Sequence, residues 1–311
     1  MSEALAIETV DLRKRFGRSE RTGPTEHFEG TEALRGLNLR VPQGSIFGFL
    51  GRNGAGKTTT IKLLLGMARP TAGQARVFGL SADDAAASVS IRTRTGFVDE
   101  NKALYDYMTV DEIIRFTAAF YPGWRRDLEK RYLQSFALPL HQKTKTLSLG
   151  TRSKLSLLLA LCRGVELLVL DEPTAGLDPA ASEEVLQAIV THVSTENLTV
   201  FFSSHHLADV DQIADHIAII DAGRTVVSGA LEDLRGQYRL VQLVFDGEAP
   251  DIAFRAPGVV RVRRQGRVVT ALSTAGGAAV IEEAMRFGPV SADLLPVTLK
   301  EIFLESVAVE D

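Results

Sequence analysis

The feature that most constrains this chain of 311 residues is a glycine-rich loop, which matches the pattern GxxxxGK[ST] at every fixed position. Its residues are Gly51, Arg52, Asn53, Gly54, Ala55, Gly56, Lys57 and Thr58. The glycines allow the backbone to curl, so that successive N–H groups point into one concavity, where Lys57 adds a positive charge. The hydroxyl group of Thr58 is suited to Mg²⁺, and Thr59, which follows directly, is a further candidate nucleotide-binding residue. The loop therefore predicts binding of a nucleoside triphosphate together with Mg²⁺.

Such a loop needs a strand before it and a helix after it, and the flanking residues favour both. Residues 45–50 are apolar enough for a buried strand, and residues 59–67 have the pattern of a helix. Further short apolar runs at residues 166–170, 198–202 and 217–220 alternate with helical segments. This alternation is typical of a parallel sheet covered on both faces, so we expect an α/β core. A glycine-rich turn without a ligand is the alternative interpretation.

Composition limits the other possibilities. A net charge of −4 and a pI near 5.9 do not indicate a nucleic-acid-binding protein, although a local basic patch is compatible with them. Cys162 is the only cysteine and lies in an apolar run, which favours a buried structural role and excludes a disulfide within the chain. The amino terminus lacks the apolar stretch of a signal peptide, and no window has 18 apolar residues. We therefore expect a cytosolic protein.

The length indicates more than one domain. We expect a first domain over residues 1–235, with a helical insertion at about 100–162, and a small α+β domain over residues 236–311. The polar residues 17–31, which include Gly23 and Pro24, are expected to form a loop. The basic residues 261–267 alternate with valines, which favours the solvated face of a hairpin over a charged contact site.

Two adjacent carboxylates end an apolar strand at residues 167–172 (LLVLDE). In a protein with a phosphate-binding loop, Asp171 is the expected carboxylate on the metal side. Side chains of consecutive strand residues diverge, so Glu172 is expected to point elsewhere and to polarise a water molecule as the general base. An ordinary strand that ends in acidic turn residues before Pro173 is the alternative interpretation.

Several further segments complete a known pattern. Phe16 follows a first strand, and residues 96–100 (GFVDE), 147–151 (LSLGT), 175–178 (AGLD) and 202–207 (FSSHHL) come later in the chain. In this order they resemble the nucleotide-binding subunit of an ATP-binding cassette (ABC) transporter, from about residue 6 to residue 234. The resemblance implies a P-loop NTPase core of the ABC ATPase type, with an antiparallel β subdomain and a helical insertion, followed by the small α+β domain.

The resemblance also implies roles for residues outside the loop. Phe16 is the counterpart of an aromatic residue that stacks on adenine; a buried structural phenylalanine is the alternative. His205 is the counterpart of a histidine that contacts the γ-phosphate, and spacing favours it over His206. Ser148 and Gly150 resemble signature residues that bind the γ-phosphate held by another subunit. Two signature positions differ from the family, since Leu149 replaces a glycine and Thr151 replaces a glutamine.

Glu100 stands where the family has a glutamine that senses Mg²⁺. A carboxylate still offers oxygen ligands to Mg²⁺, so Glu100 is a candidate metal ligand beside Thr58 and Asp171. It also adds negative charge beside the phosphates.

The resemblance implies an ATPase that dimerises head to tail, as a homodimer or a heterodimer, and energises a separate membrane permease from the inner face of the membrane. Family subunits receive the permease near residues 104–110, and the carboxyl-terminal extension favours an exporter. A helix expected at residues 297–304 resembles the terminal helix of exporter-type subunits, or simply closes the second domain. Two alternatives are a soluble ABC ATPase that acts on ribosomes or chromosomes, and a regulatory cassette with weak turnover.

Overall fold

The computed structural model describes residues 4–22, 25–274 and 276–307, without the side chains of residues 18–29. The chain forms two compact units, which divide between Ser228 and Gly229. Each unit has a hydrophobic core of its own.

A six-stranded sheet forms the centre of the first unit, in the order β10-β9-β3-β8-β7-β6. Its strands are β3 (Ile46–Gly51), β6 (Thr95–Val98), β7 (Leu167–Asp171), β8 (Thr199–Ser204), β9 (His216–Asp221) and β10 (Arg224–Ala230). Strands β9, β3, β8, β7 and β6 pair in parallel, as the alternation of apolar runs and helices predicts. All residues of β3, β7 and β8 are buried, and the rings of Phe47 and Phe49 pack against Phe201. Full burial explains why these strands are continuously apolar.

The helices of the first unit follow the sheet strands or form the insertion. They are α1 (Lys57–Leu64), α2 (Ala85–Arg94), α3 (Val110–Ala118), α4 (Arg126–Ser135), α5 (Leu149–Leu161), α6 (Pro179–Glu196) and α7 (Leu207–Ile213). Helix α3 begins with a capping box, in which Thr109 and Glu112 satisfy each other's backbone N–H groups. Cys162, directly after α5, is fully buried, and burial raises the pKa of its thiol to about 12.

An antiparallel sheet in the order β2-β1-β4-β5 corrects one expectation. Its strands are β1 (Leu5–Thr22), β2 (Thr25–Pro42), β4 (Ala72–Val77) and β5 (Leu80–Ser81). The prediction of a loop over residues 17–31 is wrong, because β1 and β2 stay paired from Gly17–Gly30 to Thr22–Thr25. Backbone hydrogen bonds hold such a hairpin without an apolar face, so its polar sequence gives no strand signal. Gly23 and Pro24 lie outside the described residues.

The second unit contains a four-stranded antiparallel sheet in the order β12-β13-β11-β14. Its elements are α8 (Leu231–Gln237), β11 (Arg239–Val244), β12 (Val259–Gln265), β13 (Val268–Ser273), α9 (Ala278–Ala284), β14 (Ser291–Leu295) and α10 (Leu299–Ser306). Val241 and Leu243 of the sheet pack with Val280 and Ala284 of α9. The basic residues 261–267 form a hairpin, as expected, and Arg261 pairs with Glu305 of α10 at 3.0 Å.

None of the helices in the described part of the chain has both the length and the apolar composition needed to cross a membrane.

A buried polar pair links α4 to α6. The hydroxyl group of Tyr132 lies 2.9 Å from Nδ1 of His192, and both side chains are almost fully buried. Burial lowers the pKa of His192 below its ordinary value of 6.5, and it raises the pKa of Tyr132 to about 12. The folded protein therefore holds both groups neutral over a wide range of pH.

We expect the first unit to lose stability as the pH falls below 6.5. The unfolded chain then binds a proton at His192 that the folded chain excludes, so the free energy of unfolding decreases by up to about 1.4 kcal/mol per pH unit. Above this pH both states are neutral and the contribution is constant. Thermal unfolding can be followed by the fluorescence of Trp124, the single tryptophan. The same acid sensitivity in the double variant His192→Leu, Tyr132→Phe would contradict this assignment.

Candidate functional site

The glycine-rich loop joins the end of β3 to the start of α1, and its glycines occupy positions that other residues do not fit. A Cβ atom at Gly51 would lie 2.6 Å from the carbonyl oxygen of Ile220, and one at Gly56 would lie 2.7 Å from Cδ2 of Leu34. Gly56 also has a φ of +110°, at the N-cap of α1. The first N–H groups of α1 lack acceptors within the helix, so those of Lys57 and Thr58 are available to an anion.

Lys57 makes a buried ion pair behind this loop. Its ammonium group donates to the carbonyl oxygen of Gly51 at 2.8 Å and lies 3.2 Å from Oε1 of Glu172. The Lys57 side chain is 7% exposed and that of Glu172 is 6% exposed. The pair therefore connects the loop directly to the residue that follows β7.

The side chains of Asp171 and Glu172 diverge, but not because they alternate along a strand. Strand β7 ends at Asp171, and Glu172 turns the chain with a φ of +50°, in the left-handed region. Ser203 of β8 holds this turn, because its hydroxyl group donates to Oδ1 of Asp171 at 2.6 Å and accepts the N–H of Glu172 at 3.0 Å. Sequence reasoning missed this role of Ser203, which depends on its register opposite Asp171.

His205 contacts the other oxygen of the same carboxylate. Nδ1 of His205 lies 2.8 Å from Oε2 of Glu172, and the backbone N–H of His205 donates to that oxygen at 3.3 Å. Glu172 thus lies between a lysine and a histidine. His206 lines a different pocket, although its ring centroid is only 4.0 Å from that of His205.

A pocket of about 500 Å³ opens over these groups, within the usual size range of a small-molecule site. It is lined by nine residues that the sequence singles out: Asn53, Gly54, Gly56, Lys57, Thr58, Thr59, Glu100, Glu172 and His205. It is also lined by five that sequence reasoning missed: Thr31, Glu32, Ala33, Arg35 and Ala222. Gly51, Arg52, Ala55, Asp171, Phe16, Ser148 and Gly150 are not among its lining residues.

Phe16 lies opposite a residue that lines the pocket. It is the register partner of Thr31, and the residue is about half exposed (49%), with the Lys14 ammonium 4.9 Å from the ring centroid. Phe16 is therefore not a core residue, and the exposed surface of its ring is available for stacking.

Lys102 is a second buried cation near Glu172, and sequence reasoning missed it. Its ammonium group donates to the carbonyl oxygens of Glu100, at 3.2 Å, and of Glu172, at 3.4 Å. The residue is 2% exposed, and burial lowers the pKa of its ammonium group. Lys102 therefore connects the segment after β6 to the turn after β7.

The oxygen donors of the site match the coordination that Mg²⁺ prefers. Thr58 and Glu100 line the pocket, and the buried Asp171 ends β7. The described residues contain no group of three or more carboxylate, histidine or cysteine side chains that holds a metal by itself. Mg²⁺ is usually bound by one or two carboxylates together with substrate phosphates and water.

The signature-like segment lies at the start of α5, apart from the pocket of its own chain. Helix α5 begins at Leu149, because the hydroxyl group of Ser148 caps it by accepting the N–H of Thr151 at 3.2 Å. Leu149 is 42% exposed, and its Cδ2 lies 2.9 Å from the position that a Cβ of Gly176 would take. The leucine thus covers the turn before α6.

Comparisons with known proteins point to one family. A family model described as "ABC transporter" matches residues 34–175. The bacitracin transport ATP-binding protein BcrA of Bacillus licheniformis is 35% identical over 237 residues, which are 75% of this chain and 72% of that protein. The daunorubicin/doxorubicin resistance ATP-binding protein DrrA of Streptomyces peucetius is 34% identical over 221 residues, which are 70% of this chain and 66% of that protein.

A solved structure of an ATP-binding subunit of an ABC transporter gives a TM-score of 0.61 at 27% identity, with 75% of this chain and 92% of that chain covered. The expected P-loop NTPase core of the ABC ATPase type is thereby confirmed. The chain therefore belongs to the ABC transporter family, in which it is an ATP-binding subunit.

Proposed function

We propose that this subunit hydrolyses ATP at the Lys57–Glu172–His205 cluster and uses the cycle to drive export through a separate membrane permease. The observation that carries the proposal is the position of Glu172, whose two carboxylate oxygens contact Lys57 and His205 within one pocket. A buried carboxylate between two nitrogen donors is ready to orient a water molecule once one donor turns to the phosphates.

Lys57 and the N–H groups at the start of α1 are the groups that hold the phosphates. A phosphate oxygen offers the Lys57 ammonium a charged partner in place of Glu172, whose Oε1 lies 3.2 Å away. Transfer of Lys57 to the phosphates frees Oε1 of Glu172 to accept a hydrogen bond from water. The base thus becomes available when substrate is present.

His205 and Ser203 keep Glu172 in place during this exchange. The contacts of Ser203 fix the left-handed turn, and His205 retains the other oxygen, Oε2. From this position the second ring nitrogen of His205 is available to the γ-phosphate.

Thr58, Asp171 and Glu100 are the residues that would hold Mg²⁺, which when bound neutralises phosphate charge. Phe16, opposite Thr31 of the pocket lining, would stack on the adenine ring.

Ser148 and Gly150 are proposed to complete the site of a second subunit. Ser148 precedes α5 and Gly150 lies in its first turn, where unsatisfied N–H groups attract anions. Neither residue lines the pocket of its own chain. A head-to-tail dimer, of two identical chains or of this chain with another cassette, brings each signature to the partner's nucleotide.

The proposed permease contact is an aromatic cluster on the insertion, formed by Tyr105, Tyr107, Phe116 and Phe120. Their rings contact one another in sequence, with centroids 5.1–5.9 Å apart. All four are between 40% and 67% exposed, which is unusual for adjoining aromatic side chains. We place the subunit on the inner face of the membrane through this contact.

We propose that the exported substrates are amphipathic antibiotic-like compounds, because the relatives are named for bacitracin transport and for daunorubicin and doxorubicin resistance. The same relatives do not favour an ATPase acting on ribosomes or chromosomes, nor a purely regulatory cassette.

Replacement of Glu172 by glutamine should abolish turnover while nucleotide binding persists. The amide keeps an oxygen for hydrogen bonds but cannot accept a proton, so we expect the rate constant for hydrolysis to fall by about 10²–10⁴-fold. Single-turnover hydrolysis and equilibrium binding of a fluorescent ATP analogue measure the two properties separately. Wild-type turnover in Glu172→Gln would remove the assignment of Glu172 as the base.

A mixing experiment tests whether the signature acts on the partner. Lys57→Ala and Ser148→Tyr should each be inactive as homodimers. An equal mixture forms mixed dimers in about half of all cases, each with one intact site, so about one quarter of wild-type activity should return. Continued inactivity of a mixture shown to contain mixed dimers would mean that Lys57 and Ser148 do not serve opposite subunits. A mixture of two Lys57→Ala preparations, with and without an affinity tag, is the control.

The variant Phe120→Ser tests the permease contact. We expect ATP hydrolysis by the isolated subunit to stay within about twofold, because Phe120 lies outside the nucleotide pocket, whereas stimulation by permease in lipid should be lost. Val226→Ser is the matched control, since Val226 is also a substantially exposed (45%) apolar residue of the first unit. Equal stimulation of both variants would argue against docking at the aromatic cluster.

A further inference from the structure

The nucleotide pocket contains a carboxylate that has no role in the proposed hydrolysis. Glu32 lines this pocket from β2, the edge strand of the antiparallel sheet, together with Thr31 and Ala33. Its side chain is 25% exposed, so a ligand in the pocket can reach the carboxylate. A negative group near a triphosphate is unfavourable unless the ligand also offers it a hydrogen bond. Glu32 therefore indicates a hydrogen-bond donor on the nucleotide.

One oxygen of the Glu32 carboxylate is held, and the other has room for a ligand. Oε1 accepts a hydrogen bond from Nε of Arg15 at 3.1 Å. Oε2 lies 4.0 Å from Nε of Arg35, beyond hydrogen-bond distance, and accepts no hydrogen bond from any described residue. Arg15 thus orients the carboxylate, and the two guanidinium groups offset its charge near the phosphates. Oε2 keeps its full capacity to accept a hydrogen bond.

The position of Glu32 along β2 relates it to both ends of a bound nucleotide. On one side of it, Thr31 is the register partner of Phe16, whose ring is proposed to stack on adenine. On the other side, Ala33 packs against the phosphate-binding loop, because a Cβ atom at Gly56 would lie only 2.8 Å from the carbonyl oxygen of Ala33. In a nucleotide the ribose joins the base to the phosphates. Glu32 therefore lies at the level of the ribose.

The donors that a nucleotide offers are few, and they select the contact. The adenine ring donates through its amino group, which lies on the edge of the base farthest from the ribose. The ribose donates through its two adjacent hydroxyl groups, which lie between the base and the phosphates. A carboxylate that accepts from a ribose hydroxyl group is also how dinucleotide-binding folds recognise the sugar. The position of Glu32 thus favours the hydroxyl groups over the amino group.

We propose that Glu32 binds the ribose of the nucleotide, with Oε2 accepting a hydrogen bond from the 2′- or the 3′-hydroxyl group. Arg15 positions the carboxylate for this contact through Oε1. The subunit thereby selects ribonucleotides over nucleotides that lack these hydroxyl groups. The inference rests on the part of the proposed function that places the nucleotide between Phe16 and the phosphate-binding loop, and not on hydrolysis at Glu172.

The contact is tested by isothermal titration calorimetry of the full chain with ADP and with 2′,3′-dideoxy-ADP, which lack a γ-phosphate to transfer. We expect the wild-type protein to bind ADP roughly tenfold more tightly than the dideoxy compound, as for a hydrogen bond to a charged group. In Glu32→Ala this ratio of affinities should fall to about one. A merely structural effect of the substitution would weaken both ligands equally and leave the ratio unchanged. The two monodeoxy compounds identify the hydroxyl group that is bound.

Two further variants control the comparison. Glu8→Ala is the matched control, because Glu8 belongs to the same sheet, pairs with Arg40 at 3.5 Å and has a similar exposed fraction (32%), but does not line the pocket. Its ratio should equal that of the wild-type protein. Glu32→Gln keeps an oxygen acceptor without the charge, so we expect a ratio between those of the wild-type protein and Glu32→Ala.

An unchanged ratio in Glu32→Ala, or an equal fall in Glu8→Ala, would overturn the proposal. So would a variant that loses discrimination between ADP and purine riboside diphosphate, which lacks the amino group, since this result would place the base at Glu32. A protein that selects ribose through Glu32 but does not hydrolyse ATP would refute the proposed hydrolysis and leave the ribose contact intact. Normal hydrolysis with an unchanged ratio would refute the ribose contact alone.

Discussion

The ion pair between Lys57 and Glu172 is the interaction on which the rest of the site depends. Two charges that are almost completely removed from water are costly unless they are paired and hydrogen-bonded. Here each has further partners: Lys57 has the carbonyl oxygen of Gly51, and Glu172 has His205. The pair joins the end of β3 to the end of β7 across the sheet, so the geometry of the loop and of the proposed base are set together.

The arrangement around Glu172 shows how a parallel sheet brings distant residues to one edge. Strands β3, β7 and β8 end beside one another, and each contributes one group: the loop with Lys57, the turn with Glu172, and the segment with Ser203 and His205. Loops at the carboxyl ends of parallel strands are the usual location of ligand sites in such folds. Lys102 adds a fourth segment, which comes from β6. The pocket is thus assembled from positions that are far apart along the chain.

Local patterns predicted much of this fold. The loop at residues 51–58, the apolar runs of the central sheet and the helices of the insertion carry strong signals within a few residues. The polar hairpin at residues 17–30 does not, because its strands are held by backbone pairing. The left-handed turn at Glu172 and the role of Ser203 depend on register between β7 and β8, and Lys102 depends on a contact across 70 residues. No window of sequence contains these relations, so only the folded chain reveals them.

The burial of Cys162 has a practical consequence. A thiolate is the reactive form of cysteine, and the completely buried side chain, with its raised pKa, is neither ionised nor reachable at neutral pH. The chain contains no other cysteine. We therefore expect the folded protein to react little with maleimide reagents, without any prior mutation. A single cysteine introduced at an exposed position becomes a unique point of attachment for a spin label or a fluorophore, so that distances within the proposed dimer can be followed through its proposed ATP cycle.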